Sequence, residues 1–144
     1  MKSVMLSIRP KWCGLISTGE KTVEVRKTKP KIETPFKCYI YETMTAYNSV
    51  SRQNDGLRPH LVPGKVIGEF VCDYIDKDLY GEFTDYFEQC GCVTGSEQIK
   101  YAGNKTIYGW HISNLVIYDK PKGLSEFGLK RPFQSWGYVN DEEV

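Results

Sequence analysis

The chain has almost no excess charge. Its 19 Lys and Arg against 18 Asp and Glu leave a formal net charge of +1, which argues against bulk electrostatic binding to a polyanion. It has no run of roughly twenty apolar residues, so no membrane span is expected. Lys2 and Arg9 interrupt any apolar stretch at the N-terminus, so a signal peptide is not expected either. The five cysteines are odd in number and lack the spacing of a disulfide framework, which points to a reduced, cytoplasmic protein. There are no internal repeats or low-complexity tracts. No glycine-rich phosphate loop is present, which excludes a P-loop nucleotide triphosphatase.

What is present is concentrated. Thirteen glycines, seven prolines and nineteen aromatics in 144 residues suggest a turn-rich, β-heavy fold, long enough for one domain with its own core. The neutral total hides an asymmetry. Residues 1–37 carry nine Lys or Arg against three Asp or Glu, while residues 38–144 carry ten against fifteen. A local basic surface near the N-terminus can attract phosphates even on a neutral protein.

The periodicities predict a strand over Val4–Ile8, a helix over Pro10–Thr18 with proline in its first turn, and a strand over Thr22–Lys27. Trp12, Leu15 and Ile16 form the apolar stripe of that helix. A lysine- and proline-rich loop, Thr28–Pro35, precedes a strand over Phe36–Glu42 that turns Phe36, Cys38, Ile40 and Glu42 to one face. Residues 43–63 are polar and irregular. A further strand runs over Lys65–Cys72, on which strict alternation puts Val66 with Phe70 and Ile67 with Glu69 and Val71. An acidic-aromatic segment, 73–92, holds a helical pattern at Phe83, Tyr86, Phe87 and Cys90, and a second short helix is expected over Ser96–Ala102. Thr106–Tyr118 is a long strand, Leu124–Phe127 a turn of helix, and Gln134–Val139 a last strand. The expected class is α+β: a small mixed β-barrel of five to six strands flanked by short helices.

The densest chemistry lies in Gly19-Glu20-Lys21-Thr22-Val23-Glu24-Val25-Arg26-Lys27. Gly19 suits the left-handed residue that ends a helix. Beyond it Val23 and Val25 share one face, while Thr22, Glu24 and Arg26 share the other. Lys21 has the opposite parity and can join Glu24 and Arg26 only from the turn. Arg26 could hold a phosphate or carboxylate bidentately, and Lys21 offers a movable donor. Glu69, a carboxylate among apolar neighbours, should meet a cation or a hydroxyl, or have a raised pKa. Placed near Glu24 it would raise one carboxylate's pKa, as general acid or base catalysis requires. The competing interpretation is a structural ion-pair network that closes the barrel.

Leu6-Ser7-Ile8-Arg9-Pro10-Lys11, then Leu15-Ile16 and Gly19 to Arg26, resemble the ASCH family, named for activating signal cointegrator 1 homology and belonging to the PUA-like fold. The resemblance continues through Gly64 to Glu69, Trp110-His111-Ile112, and loosely Lys130-Arg131-Pro132 to Trp136. It implies a single domain over 1–144 with variable insertions near 43–63 and 73–92, and a cleft that takes RNA or a nucleoside-like ligand. Some bacterial members are amidohydrolases acting on N4-acetylcytidine through a lysine, a threonine and a glutamate. Lys21 matches the lysine and Glu69 best matches the glutamate. Glu24 stands at the threonine position, so a threonine mechanism does not carry over.

Lys21, Glu24 and Glu69 are therefore the candidate catalytic residues, and Arg26, Thr22, Arg9, Lys11, Lys29, Lys31 and Trp12 the candidate ligand contacts. Trp12, Tyr41, Tyr47, Tyr108, Trp110 and Trp136 could include a base-stacking surface. Cys90 and Cys92, with Cys72, His60 and His111, lack usual zinc spacing, so no metal or other cofactor is expected. Three functions follow as expectations: an RNA- or nucleoside-binding module, a hydrolase of an acylated nucleoside or RNA, and a protein-interaction module using residues 73–92.

Overall fold

The computed structural model describes residues 2–44, 64–78, 90–92 and 106–140. Six strands form one mixed sheet: β1 (Lys2–Ile8), β2 (Val23–Arg26), β3 (Phe36–Glu42), β4 (Val66–Asp78), β5 (Ile107–Lys122) and β6 (Trp136–Asn140). Their spatial order is β2-β5-β4-β3-β1-β6. β1 and β3 run parallel, and every other pair is antiparallel. Helix α1 (Pro10–Ser17) links β1 to β2, and a 3-10 turn (Leu124–Phe127) follows β5. No helix among the described residues is long and apolar enough to cross a membrane.

Each face of the sheet carries a core. Val4, Leu6 and Ile8 of β1 meet Cys13 and Ile16 of α1, Phe36, Cys38 and Ile40 of β3, and Trp110 of β5. On the other face Met5, Tyr39, Tyr41, Val66, Phe127 and Val139 pack together. β1 is buried on both sides, which is why it reads as the unbroken apolar run Val4-Met5-Leu6. Pro10 sits in the first turn of α1, where its missing N–H leaves no helical bond unmade.

The sheet curls without closing. No ladder joins its edge strands β2 and β6 among the described residues; side chains span the gap instead. Arg26 of β2 reaches Ser7 of β1 and Ser135 just before β6. Trp136 Nε1 donates to Thr28 Oγ1 at 2.8 Å, and Lys31 N donates to the Tyr138 hydroxyl at 2.9 Å. The open barrel is thus seamed by hydrogen bonds from the segment that follows β2.

Two features depart from expectation. β4 continues to Asp78, so the strand expected to end at Cys72 runs on into the start of the acidic segment. β4 also carries a bulge: Ile40 faces Gly68 while Tyr41 faces Val66, so Ile67 is an additional residue. The insertion places Ile67 on the α1 face with Phe70 and Cys72, and Val66 on the opposite one. Gly68 is required there, since a Cβ would lie 2.4 Å from the Val116 carbonyl oxygen. The helix expected over 83–90, apart from Cys90, the helix expected over 96–102, and most of the 43–63 region with Tyr47 and His60 lie outside the described residues.

Candidate functional site

The end of α1 builds the site. Thr18 N donates to Gly14 O and Gly19 N to Ile16 O, and Gly19 adopts φ 83°, which only glycine does without strain. Lys21 N then donates to Leu15 O. That bond turns the lysine back beneath the helix before β2 begins, and Lys21 is only 2 % exposed.

β2 pairs with β5 so that Glu24 lies opposite Trp110 and Arg26 opposite Tyr108. Directly paired residues share a face, so Glu24 and Arg26 turn towards the α1 side of the sheet. They are 5 % and 8 % exposed. Lys21 Nζ lies 3.4 Å from Glu24 Oε1, while Arg26 Nη2 lies 2.7 Å and Nε 2.9 Å from Glu24 Oε2. The polar face of the 21–26 segment is enclosed, as a site or a structural network requires.

Arg26 is turned to the protein. Nε and Nη2 serve Glu24; Nη2 also donates to Ser7 O at 2.8 Å; Nη1 donates to Ser135 Oγ at 3.1 Å and Ser135 O at 3.3 Å. All three nitrogens of the guanidinium are engaged with the protein. In this arrangement Arg26 fixes Glu24 and joins β2 to β1, with its nitrogens turned to protein acceptors rather than to an open ligand position. Lys21 is similarly engaged. Beyond Glu24, its ammonium donates to the Gly91 carbonyl and stands 5.0 Å from the centre of the Trp12 ring.

Burial alone would push the Glu24 carboxyl up. The charges of Arg26 and Lys21 and their hydrogen bonds outweigh that cost, and its pKa falls below the ordinary 4.5. Glu24 is thus held ionised. Among the described residues its Oε1 meets only Lys21, which leaves capacity for one further donor.

Glu69 is elsewhere. Glu69 lies opposite Tyr39, on the face of β3 and β4 that belongs to the second core. Its Oε1 accepts the Tyr118 hydroxyl at 2.7 Å and its Oε2 lies 3.3 Å from Lys37 Nζ. The expected cation and hydroxyl are both there, but the structure does not bring Glu69 to Lys21 and Glu24. Alternation separates Glu69 from Phe70 correctly, but nothing in the sequence marks the Phe70 face as the one that meets Glu24; the bulge changes only the faces of Val66 and Ile67.

The remaining candidates lie outside the triad of Lys21, Glu24 and Arg26. Trp12 is half-buried with Lys11 Nζ 4.5 Å from its ring centre; Arg9, Lys11 and Thr22 are exposed. Lys29 and Lys31 line a surface groove of about 620 Å³ with Pro30, Ile32, Thr34 and Ile75. Thr28 links this loop to the core, accepting Trp110 Nε1 on its carbonyl and Trp136 Nε1 on its hydroxyl. Three participants carried no sequence signal as site residues: Ser7, Ser135 and Gly91 act through backbone atoms or a short hydroxyl. A His111–Asp76 pair at 2.7 Å, with Tyr74 edge-on to the imidazole, also escaped notice. No three His, Cys, Asp or Glu side chains converge as a metal site among the described residues.

The ASCH domain family model matches residues 6–122. Crystal structures of an ASCH protein from Zymomonas mobilis are similar in fold. A single-residue variant gives a TM-score of 0.74 at 19 % identity, covering 99 % of this chain and 94 % of that one. The unsubstituted protein gives 0.70 at 19 % identity, with 98 % and 90 % covered. No curated protein matches the chain.

Proposed function

The chain belongs to the ASCH domain family, and we propose that the segment of residues 19–26 binds a nucleobase, a nucleoside or a single-stranded RNA element. The observation that carries this reading is the ionised, oriented Glu24. A buried carboxylate fixed by two cations, with acceptor capacity left on Oε1, suits an amino or imino N–H of a base. Lys21 suits a carbonyl of the same ligand, and the adjacent Trp12 ring offers stacking area. Exposed Arg9, Lys11, Lys29 and Lys31 supply phosphate contacts around it. Arg26 acts as a positioning residue.

The hydrolase alternative needs a carboxylate whose pKa sits near the working pH. Glu24 is moved the other way, and Glu69 is on the opposite face. Binding is accordingly the better reading.

The test is equilibrium binding of a nucleoside panel and short single-stranded RNAs across a salt series. Trp12→Ala should weaken binding by roughly tenfold or more, the effect of losing one stacked base. Replacing Lys29 and Lys31 with alanine should flatten the salt dependence by about one to two units of slope. Wild-type protein that binds neither class, or turns over an acylated nucleoside, overturns the binding reading.

A further inference from the structure

The Lys21 ammonium is capped by a segment seventy residues away in sequence. Three bonds hold residues 90–92 against residues 20–22: Thr22 N donates to Cys90 O at 2.8 Å, Lys21 Nζ donates to Gly91 O, and Cys92 Sγ donates to Glu20 O at 3.4 Å. The contact is close because residue 91 is glycine. A Cβ there would stand 3.1 Å from Val25 Cγ2 and 3.9 Å from Lys21 Nζ. The Gly91 carbonyl thus occupies one of the three directions in which a buried ammonium can donate.

Two thiols bracket that glycine, and they differ from the other three. Cys13, Cys38 and Cys72 are fully buried; burial raises the Cys38 thiol well above its ordinary value and pushes Cys72 up to about 12. Such thiols are inert. Cys90 and Cys92 are only half-buried, and both are free. Gly91 is helical and Cys92 turns left-handed at φ 58°. Helical geometry sets Cα atoms two residues apart at about 5.4 Å, inside the roughly 4.4–6.8 Å range that a disulfide spans. Side chains at that spacing do not face each other, so bridging them requires the backbone at Gly91 to turn.

We propose that Cys90 and Cys92 are a thiol modification site: a low-molecular-weight disulfide oxidises them to an intrachain disulfide, and this frees Lys21 from Gly91. One thiolate attacks the small disulfide and displaces a thiol; the other then displaces the second thiol from the mixed disulfide. Two protein thiols are oxidised and one small disulfide is reduced to two thiols, which take up the two protons that the protein thiols give up. Oxidation removes the S–H that Cys92 gives to Glu20. The small ring closed through the Gly91 peptide also turns its carbonyl away from the ammonium. A disulfide between residues so close in sequence is strained, hence easily reduced, as a reversible modification requires. The functional consequence, a Lys21 open to ligand, rests on the binding reading above; the thiol chemistry does not.

The experiment treats the full chain with oxidised glutathione and then with an amine-reactive acetylating ester, reading both by peptide mass spectrometry. The expected result is loss of two hydrogens from the Cys90–Cys92 peptide, with Lys21 acetylation rising about tenfold, the ratio for one lost hydrogen bond to a charged group. Dithiothreitol should reverse both. Cys92→Ser should abolish the oxidant's effect on Lys21, and Gly91→Ala should raise Lys21 acetylation without oxidant. Glutathione adducts in place of the internal disulfide, or a disulfide that leaves Lys21 acetylation unchanged, overturn the proposal. Either result stands apart from RNA or nucleoside binding, which uses reduced protein.

Discussion

Each guanidinium nitrogen of Arg26 donates to the protein, whereas Glu24 Oε1 accepts, among the described residues, from Lys21 alone; that difference separates a positioning residue from a ligand residue. It also makes Glu24 the group through which acid acts on the fold. Its folded pKa lies below the 4.5 of an ordinary carboxyl, so the unfolded chain takes up the proton more readily. The stabilisation is fully present above about pH 4.5 and is lost as the pH falls through the folded value. Urea unfolding midpoints should therefore drop as the pH falls below that point. Glu24→Gln should be less stable at neutral pH, with Lys21 and Arg26 left buried without their counter-charge, and should show a flatter acid limb. Equal acid slopes in the two proteins would remove Glu24 from the account.

At the scale of elements, β4 shows where alternation stops being a guide. Phe36–Glu42 and Val23–Arg26 keep period two from end to end, and their faces are legible from residue types alone. Lys65–Cys72 looked equally regular, yet one additional residue at Ile67 exchanges the faces of Val66 and Ile67 and leaves Glu69 opposite Tyr39. Nothing in Val-Ile-Gly-Glu marks that bulge except Gly68, which is compatible with a plain strand too. Gly68→Ala tests its role: the clash is with a backbone carbonyl, which cannot rotate away. Thermal unfolding should show a loss of about 1–3 kcal/mol, and unchanged stability would mean the bulge tolerates a side chain.

For the whole molecule, the question is how a six-stranded sheet whose end strands β2 and β6 share no ladder among the described residues holds its curl. The answer is a seam of side chains, with Arg26 bonded to β1 and to Ser135 ahead of β6, and Thr28 taking both Trp110 and Trp136. Arg26→Ala removes one partner of a buried ion pair and should cost about 3–5 kcal/mol by chemical denaturation. Arg26→Lys keeps the charge without the planar fork and should fall between that variant and wild type. A loss under about 1 kcal/mol for Arg26→Ala would mean that the seam does not depend on this residue. The triad therefore has a structural role whatever it binds, and the two roles share one geometry.

The amino-acid sequence by itself determined the helix-to-strand switch at Gly19, the shared face of Glu24 and Arg26, the entry of Lys21 from the turn, and the ASCH resemblance. Each depends on local periodicity or on a conformation that one residue type favours. Tertiary structure alone decided that Arg26 is turned to protein acceptors, that Glu69 belongs to the opposite face, and that Gly91 caps Lys21. Those outcomes depend on which carbonyls and hydroxyls come within about 3 Å of a side chain, and the partners lie from nineteen to more than a hundred residues away in sequence. Periodicity shows which way a side chain points; only the folded chain shows what is waiting there.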